Sequence, residues 1–249
     1  MTTLHKINNP SHPVILFIPE AGIYPFIRGL SVLGDAIQRR GGRVLVTRDS
    51  GQMLRSPIMS MKKLPLNASK ENKDFIYRIT DKYLNRINKK YGFSFIELSD
   101  HVDKNIYKEI DDLVSKAGNN LNKVTYRGFP VGRIVQYDFI LETKFPYSSK
   151  LSERHRALYS LYIKNTALTL AIADEIFQRY KPSLVITFNE YAQCQAVRYS
   201  AMKNNVRRMA MTYPVHLMLM RRDFQFGNRL ANIGVISIVK NGMSGKICH

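Results

Sequence analysis

Three short segments bring together residue types that could do chemistry. Glu20-Ala21-Gly22 lies between an apolar run and a helical pattern. A helix start offers unpaired N–H donors and partial positive charge, and Gly22 lets the backbone approach a bound group. A carboxylate at Glu20 could there take a proton from a hydroxyl nucleophile, as a general base does; the helix dipole alone would also account for an acid at that place. Asn189-Glu190-Tyr191, with Gln193, combines amides, a carboxylate and a ring, a set suited to sugar hydroxyls or a base edge, although Asn189 would equally cap a helix. Arg48-Asp49-Ser50-Gly51 follows a second apolar run. An acid there could hold ribose hydroxyls, and an ordinary turn is the favoured reading.

Other chemistries find little support. The histidines stand at 5, 12, 101, 155, 216 and 249 without a paired metal-ligand spacing, so no metal is expected. His101 reads as part of a polar loop with Asp100 and Asp103, whereas His216, beyond Tyr213-Pro214, falls where a ligand edge would be, although a solvent-facing loop histidine is the favoured reading. Cys194 and Cys248 are the only cysteines, too few for a disulfide scaffold, and Cys194 reads as buried filler. Neither GxGxxG nor GxxxxGK[ST] is present, which removes the main support for dinucleotide and P-loop readings.

The elements that must position these segments follow from periodicity. Residues 13–19 (PVILFIP) read as a buried strand; Pro25 opens a helix carrying Phe26, Ile27, Leu30, Leu33 and Ile37 that stops at Gly41-Gly42, and 43–47 (RVLVT) is a second strand. Together they make a right-handed βαβ unit. Residues 48–67 read as a loop with Met53, Met59 and Met61. Ser69 would cap a long polar helix to Tyr91 whose apolar stripe is Phe75, Ile76, Ile79, Tyr83 and Ile87. A strand over 93–98 and a helix over 106–116 are expected; 124–142 receives no assignment. A mostly apolar helix over 152–180, a strand over 183–188, a helix over 190–203 and a strand over 206–212 form a second βαβ unit. The fold class expected is α/β, a Rossmann-like three-layer sandwich with a mostly parallel sheet. Residues 1–229 would form one domain, with core units 13–50 and 151–214 and an insertion 51–150, and 230–249 a weakly structured tail.

Composition sets the partner class. The 249 residues suit one large domain or two small ones, and a hydrophobic content of 45% excludes a wholly disordered chain. Charge of +19, from 38 Lys+Arg against 19 Asp+Glu, calls for an anionic partner. Arg207, Arg208, Arg221 and Arg222 lie near Leu217 to Met220, a pattern that favours anionic lipid headgroups; nucleic acid is the weaker reading, since no RNA-binding signature is present. With no long apolar span and no signal-like start, the expected location is cytoplasmic, at most peripheral to the inner face of the membrane.

The run PVILFIPEAG and the stretch IADEIFQRYKPSLVITFNEYAQCQAVRYSAMKNNVRRMAMTYPVHL resemble the N-terminal half of bacterial two-Rossmann-domain (GT-B type) glycosyltransferases of surface polysaccharide synthesis, over about 13–50 and 151–220. The resemblance implies an acceptor-side domain with Glu20 as base, Gly22, Arg48, Asn189, Glu190, Tyr191 and His216 lining the acceptor site, and a glycan or lipid-linked sugar as acceptor. No cofactor is expected. The donor, a nucleotide sugar, would need a second domain or a partner subunit, because too little chain follows Arg229 to form one. The alternatives are a non-catalytic glycan or lipid-linked sugar module and a basic nucleic-acid-binding protein.

Overall fold

The structure is a computed structural model that describes residues 12–18, 24–49, 51–54, 59, 65–66, 70–145, 151–188, 191–211 and 237–238. Its elements run β1 (Val14–Leu16), α1 (Tyr24–Gln38), β2 (Val44–Arg48), α2 (Lys70–Tyr91), β3 (Ser94–Glu97), a 3₁₀ turn (Leu98–His101), α3 (Lys104–Ala117), a second 3₁₀ turn (Leu121–Lys123), α4 (Val131–Ile134), α5 (Gln136–Thr143), α6 (Glu153–Tyr180), β4 (Leu184–Phe188), α7 (Ala192–Lys203), β5 (Arg207–Met211) and β6 (Ser237–Ile238). The sheet order is β3-β2-β1-β4-β5-β6, with the first five strands parallel and β6 antiparallel to β5. The expected α/β, Rossmann-like three-layer class is therefore the observed one.

Alternation along the strands builds the layers. Val14, Leu16 and Ile18 face a core with Val44 and Val46 of β2, Ile27 and Leu30 of α1, and Leu84 and Ile87 of α2. Ile15 and Phe17 face the other way, onto a larger core fed by α3, α4, α5, α6 and α7. Both faces of β1 are covered, which is why the run PVILFIP carries no polar alternation. α1 ends as its glycines demand: Gly41 has φ +81°, and the N–H groups of Gly41 and Gly42 bond the carbonyls of Gln38 and Ile37.

Two local expectations are corrected, and one unassigned stretch gains its elements. The buried stripe of α2 is Ile76, Tyr77, Thr80, Leu84 and Ile87, while Phe75 is 54% exposed. His101 is buried instead of lying in a polar loop; its Nδ1 meets Glu175 and its ring packs on Tyr180 at 5.8 Å. The unassigned stretch 124–142 holds a tight Tyr126–Phe129 bridge and the short helices α4 and α5. Among the described residues no helix is long and apolar enough to cross a membrane.

Candidate functional site

In an open parallel sheet the ligand crevice opens at the carboxyl ends of the strands, where strand order reverses. Here that point lies between β1 and β4, which pair through Val14↔Leu184, Ile15↔Val185 and Leu16↔Ile186. Thr47 pins the neighbouring strand end: its hydroxyl accepts the Ile18 N–H at 2.7 Å and faces the Ile18 carbonyl at 3.3 Å.

Asp49 follows directly and is 3% exposed. Its Oδ1 accepts the N–H groups of Gly51 (3.1 Å), Gln52 (2.8 Å) and Met53 (3.4 Å), so the carboxylate shapes its own turn. Its Oδ2 is buried with no hydrogen bond. Burial pushes the Asp49 pKa up to about 6, against the pull of those three N–H donors. Tyr77 feels the Asp49 charge and is raised far above the usual phenol range, chiefly by burial; its own proton goes to the Met53 carbonyl at 2.6 Å.

From this turn a polar layer crosses to α7. Leu54 N–H donates to Asn165 Oδ1 at 2.8 Å. Thr169 Oγ1 donates to the Asn165 carbonyl at 2.9 Å and accepts Gln193 Nε2 at 3.1 Å. Asn165, Thr166, Thr169 and Gln193 are all buried, and Thr166 Oγ1 has no hydrogen-bond partner. α7 then starts against α5: the Ala192 N–H, unpartnered within its own helix, donates to Asp138 Oδ2 at 3.1 Å. Burial lifts the Asp138 pKa to about 7, opposed by that single N–H, and Oδ1 is buried without a partner. Beside it the rings of Tyr137, half exposed, and Tyr191 lie 6.4 Å apart.

α2 reaches the same edge, since Tyr77 in its second turn bonds the Met53 loop. From there Arg78, Lys82, Arg86 and Lys89 run down one side of the helix and, with Asp81 and Asn85, line an open groove. None of these four cations makes an ion pair among the described residues. Behind them Arg48 donates from Nε to both Glu97 oxygens (2.8 and 3.0 Å) and from Nη2 to Oε1, with its guanidinium 5.0 Å from the Phe95 ring centre. That hydrogen-bonded pairing raises the Arg48 pKa. The Asp81 carboxyl is raised by burial despite the opposing charge of Arg48.

Of the candidates chosen from sequence, Arg48 and Tyr191 stand at this edge, Arg48 held by Glu97 and Tyr191 beside Tyr137. Arg207 is exposed on β5 and donates to the Ser183 carbonyl at 3.2 Å, and Arg208 lies next to it, half-buried. Glu20, Gly22, Asn189, Glu190, His216, Arg221 and Arg222, and the capping residue Ser69, lie outside the described residues. Sequence reasoning missed Asp138, which sits in the unassigned stretch, and the α2 stripe, because charge was sought in the last quarter. The signals were there: cations at 78, 82, 86 and 89 repeat at helical spacing, and Asn165 and Thr169 interrupt an apolar helix one turn apart.

No known protein family matches the chain, and no curated protein does. Among solved structures the chain is similar to a CDPS from Fluoribacter dumoffii, with 13% identity, 84% of this chain and 94% of that one covered, and a TM-score of 0.49. It is also similar to AlbC, a cyclodipeptide synthase from Streptomyces noursei, with 12% identity, 75% and 87% coverage, and a TM-score of 0.43. The GT-B resemblance is corrected by this finding, and with it the glycosyltransferase activity, the role in polysaccharide synthesis, the glycan or lipid-linked sugar acceptor and the donor-domain partner. The alternatives, a glycan module and a basic nucleic-acid-binding protein, are not better supported. The physical reason is that a buried strand, a polar strand end and a helix ending in Lys-Pro belong to doubly wound sheets in general and specify no reaction.

Proposed function

We propose that the chain is an enzyme of the cyclodipeptide-synthase kind, joining two amino acids delivered as esters on tRNA. The activity named for the two solved structures supplies the candidate; the support comes from this chain's own surface. Each amide bond formed breaks one ester to a ribose hydroxyl, so two aminoacyl-tRNAs give one cyclic dipeptide and two free tRNAs. Such an enzyme must bind a long polyanion and hold a small aminoacyl end beside it.

The observation that carries the proposal is the cationic stripe of α2. Four cations free of carboxylate partners among the described residues begin next to the sheet's carboxyl edge and extend about 16 Å along the helix. Asp81 is the single acid among the six residues that line the groove, so the lining is net cationic. At the edge, Tyr137 and Tyr191 offer an apolar wall to an amino-acid side chain. Asp138 acts as a positioning residue, holding the first turn of α7 where Tyr191 enters it.

The test follows radiolabelled amino acid leaving acid-precipitable tRNA during incubation with the purified chain. Loss of label faster than in buffer, with the released label in a peptide-bonded product and the rate slowed at least tenfold in a variant with Arg78, Lys82, Arg86 and Lys89 all changed to Gln, supports the proposal. Label that leaves no faster than in buffer contradicts it.

A further inference from the structure

Asp49 is a buried acid to which the proposed reaction gives no task. Its Oδ1 accepts all three N–H groups of its turn, while Oδ2 is buried and accepts nothing. The two phenols that feel its charge donate elsewhere, Tyr77 to the Met53 carbonyl at 2.6 Å and Tyr107 to Gln52 Oε1 at 2.7 Å. No Lys or Arg among the described residues pairs with it, in a chain of charge +19. The same turn is fixed on α6 by the Leu54–Asn165 bond, and Thr166, next along that helix, also buries a hydroxyl without a partner. An asparagine would serve the turn equally well through its one amide oxygen, without the cost of burying a charge. What the carboxylate adds is a second oxygen and a negative charge, one residue past the carboxyl end of β2.

We propose that Asp49 sets substrate specificity: its Oδ2 receives the cationic side chain of one of the two amino acids, a primary ammonium or a guanidinium. This inference rests on the proposed function and names one substrate class for it. A buried charge is costly unless an opposite charge meets it with a hydrogen bond, so such a site favours a cationic side chain and rejects an apolar one of the same length. The α-amino group is another amine of the substrate, but it must attack the second ester as a free base, and a carboxylate would hold it protonated and unreactive. A ribose hydroxyl would supply a hydrogen bond and leave the charge uncompensated. Burial raises Asp49 only to about 6, so the carboxylate is mostly ionised at pH 7 and able to pair. The other amino acid then lies by the rings of Tyr137 and Tyr191, which call for no charge.

The experiment has two arms, both on the full chain as wild type and as Asp49→Asn, whose folds are first compared by circular dichroism. In one, lysyl-, arginyl-, leucyl- and phenylalanyl-tRNA are supplied together and the peptide-bonded products are counted by mass. Wild type is expected to incorporate lysine or arginine about tenfold more often than leucine, and Asp49→Asn to cut that ratio by about tenfold. A wild-type ratio near one overturns the proposal, as does an equal loss of all products in the variant, the result that a ribose contact would give. In the other arm, calorimetry compares binding of lysine methyl ester with that of norleucine methyl ester, the same carbon chain without the side-chain amine. Wild type is expected to bind the lysine ester about fivefold more tightly or better, and Asp49→Asn to lose that difference. Equal wild-type affinity for the two esters overturns the proposal. The expected ester preference in a chain that consumes no aminoacyl-tRNA supports the site at Asp49 and overturns the proposed function alone.

Discussion

At the scale of single residues, two buried carboxyls set the behaviour of the site. Asp138 and Asp49 have folded-state pKa values of about 7 and about 6, both raised by burial. An acid raised in this way holds a proton that the unfolded chain has already released, so the folded state binds more protons between about pH 4 and pH 7. Stability is therefore fully present below about pH 4 and is lost as pH rises through those folded values. Asp138→Asn keeps an acceptor for the Ala192 N–H and removes the ionisation. Urea unfolding is expected to show the variant gaining on wild type between pH 5 and pH 8, by on the order of 2 kcal/mol; parallel pH profiles would show that the folded-state Asp138 carboxyl is not raised and is already ionised at pH 5. Neither acid's state could be read from sequence. Asp49 is visible there as a turn residue or a ribose-binding acid, and Asp138 only as one of several polar positions in an unpatterned stretch, because burial comes from helices distant along the chain.

Among the elements, strands and long helices were legible because their patterns are local. The glycine stop of α1, the Lys-Pro end of α6 and the two apolar strands β1 and β4 sit where period and punctuation place them. α4 and α5 were not legible: helices of four and eight residues are too short to show a period, and α4 is fixed by close packing. A Cβ on Gly132 would lie 2.1 Å from the Leu121 carbonyl oxygen and 2.9 Å from Val124 N, both backbone atoms that cannot step aside cheaply. Gly132→Ala is expected to lower the unfolding midpoint by the equivalent of about 2 kcal/mol or more. An unchanged midpoint would mean that the second 3₁₀ turn yields easily. α2 was legible as a helix but not in orientation, since Phe75 reads as core until packing shows otherwise. Its charge has a direct readout: Arg86→Gln with Lys89→Gln should reduce the slope of log affinity for tRNA against log salt by about 1.4 to 1.8. An unchanged slope would place the tRNA elsewhere.

Across the whole molecule, the parallel sheet with helices on both faces was accessible from sequence, and the activity was not. Doubly wound sheets present polar strand ends whatever they bind, so Glu20 and Asn189 suggested a sugar site as readily as any other. The charge of +19 pointed to an anion without choosing one; the choice depends on which cations share a helix face, as they do along α2. The proposed placement of an RNA-borne aminoacyl end against the carboxyl edge is tested most directly by the identity of the product. Purified chain incubated with a mixture of aminoacyl-tRNAs is expected to yield masses of cyclic dipeptides, absent when the RNA is first digested with ribonuclease. Release of free amino acids alone, with no peptide-bonded product, would contradict it.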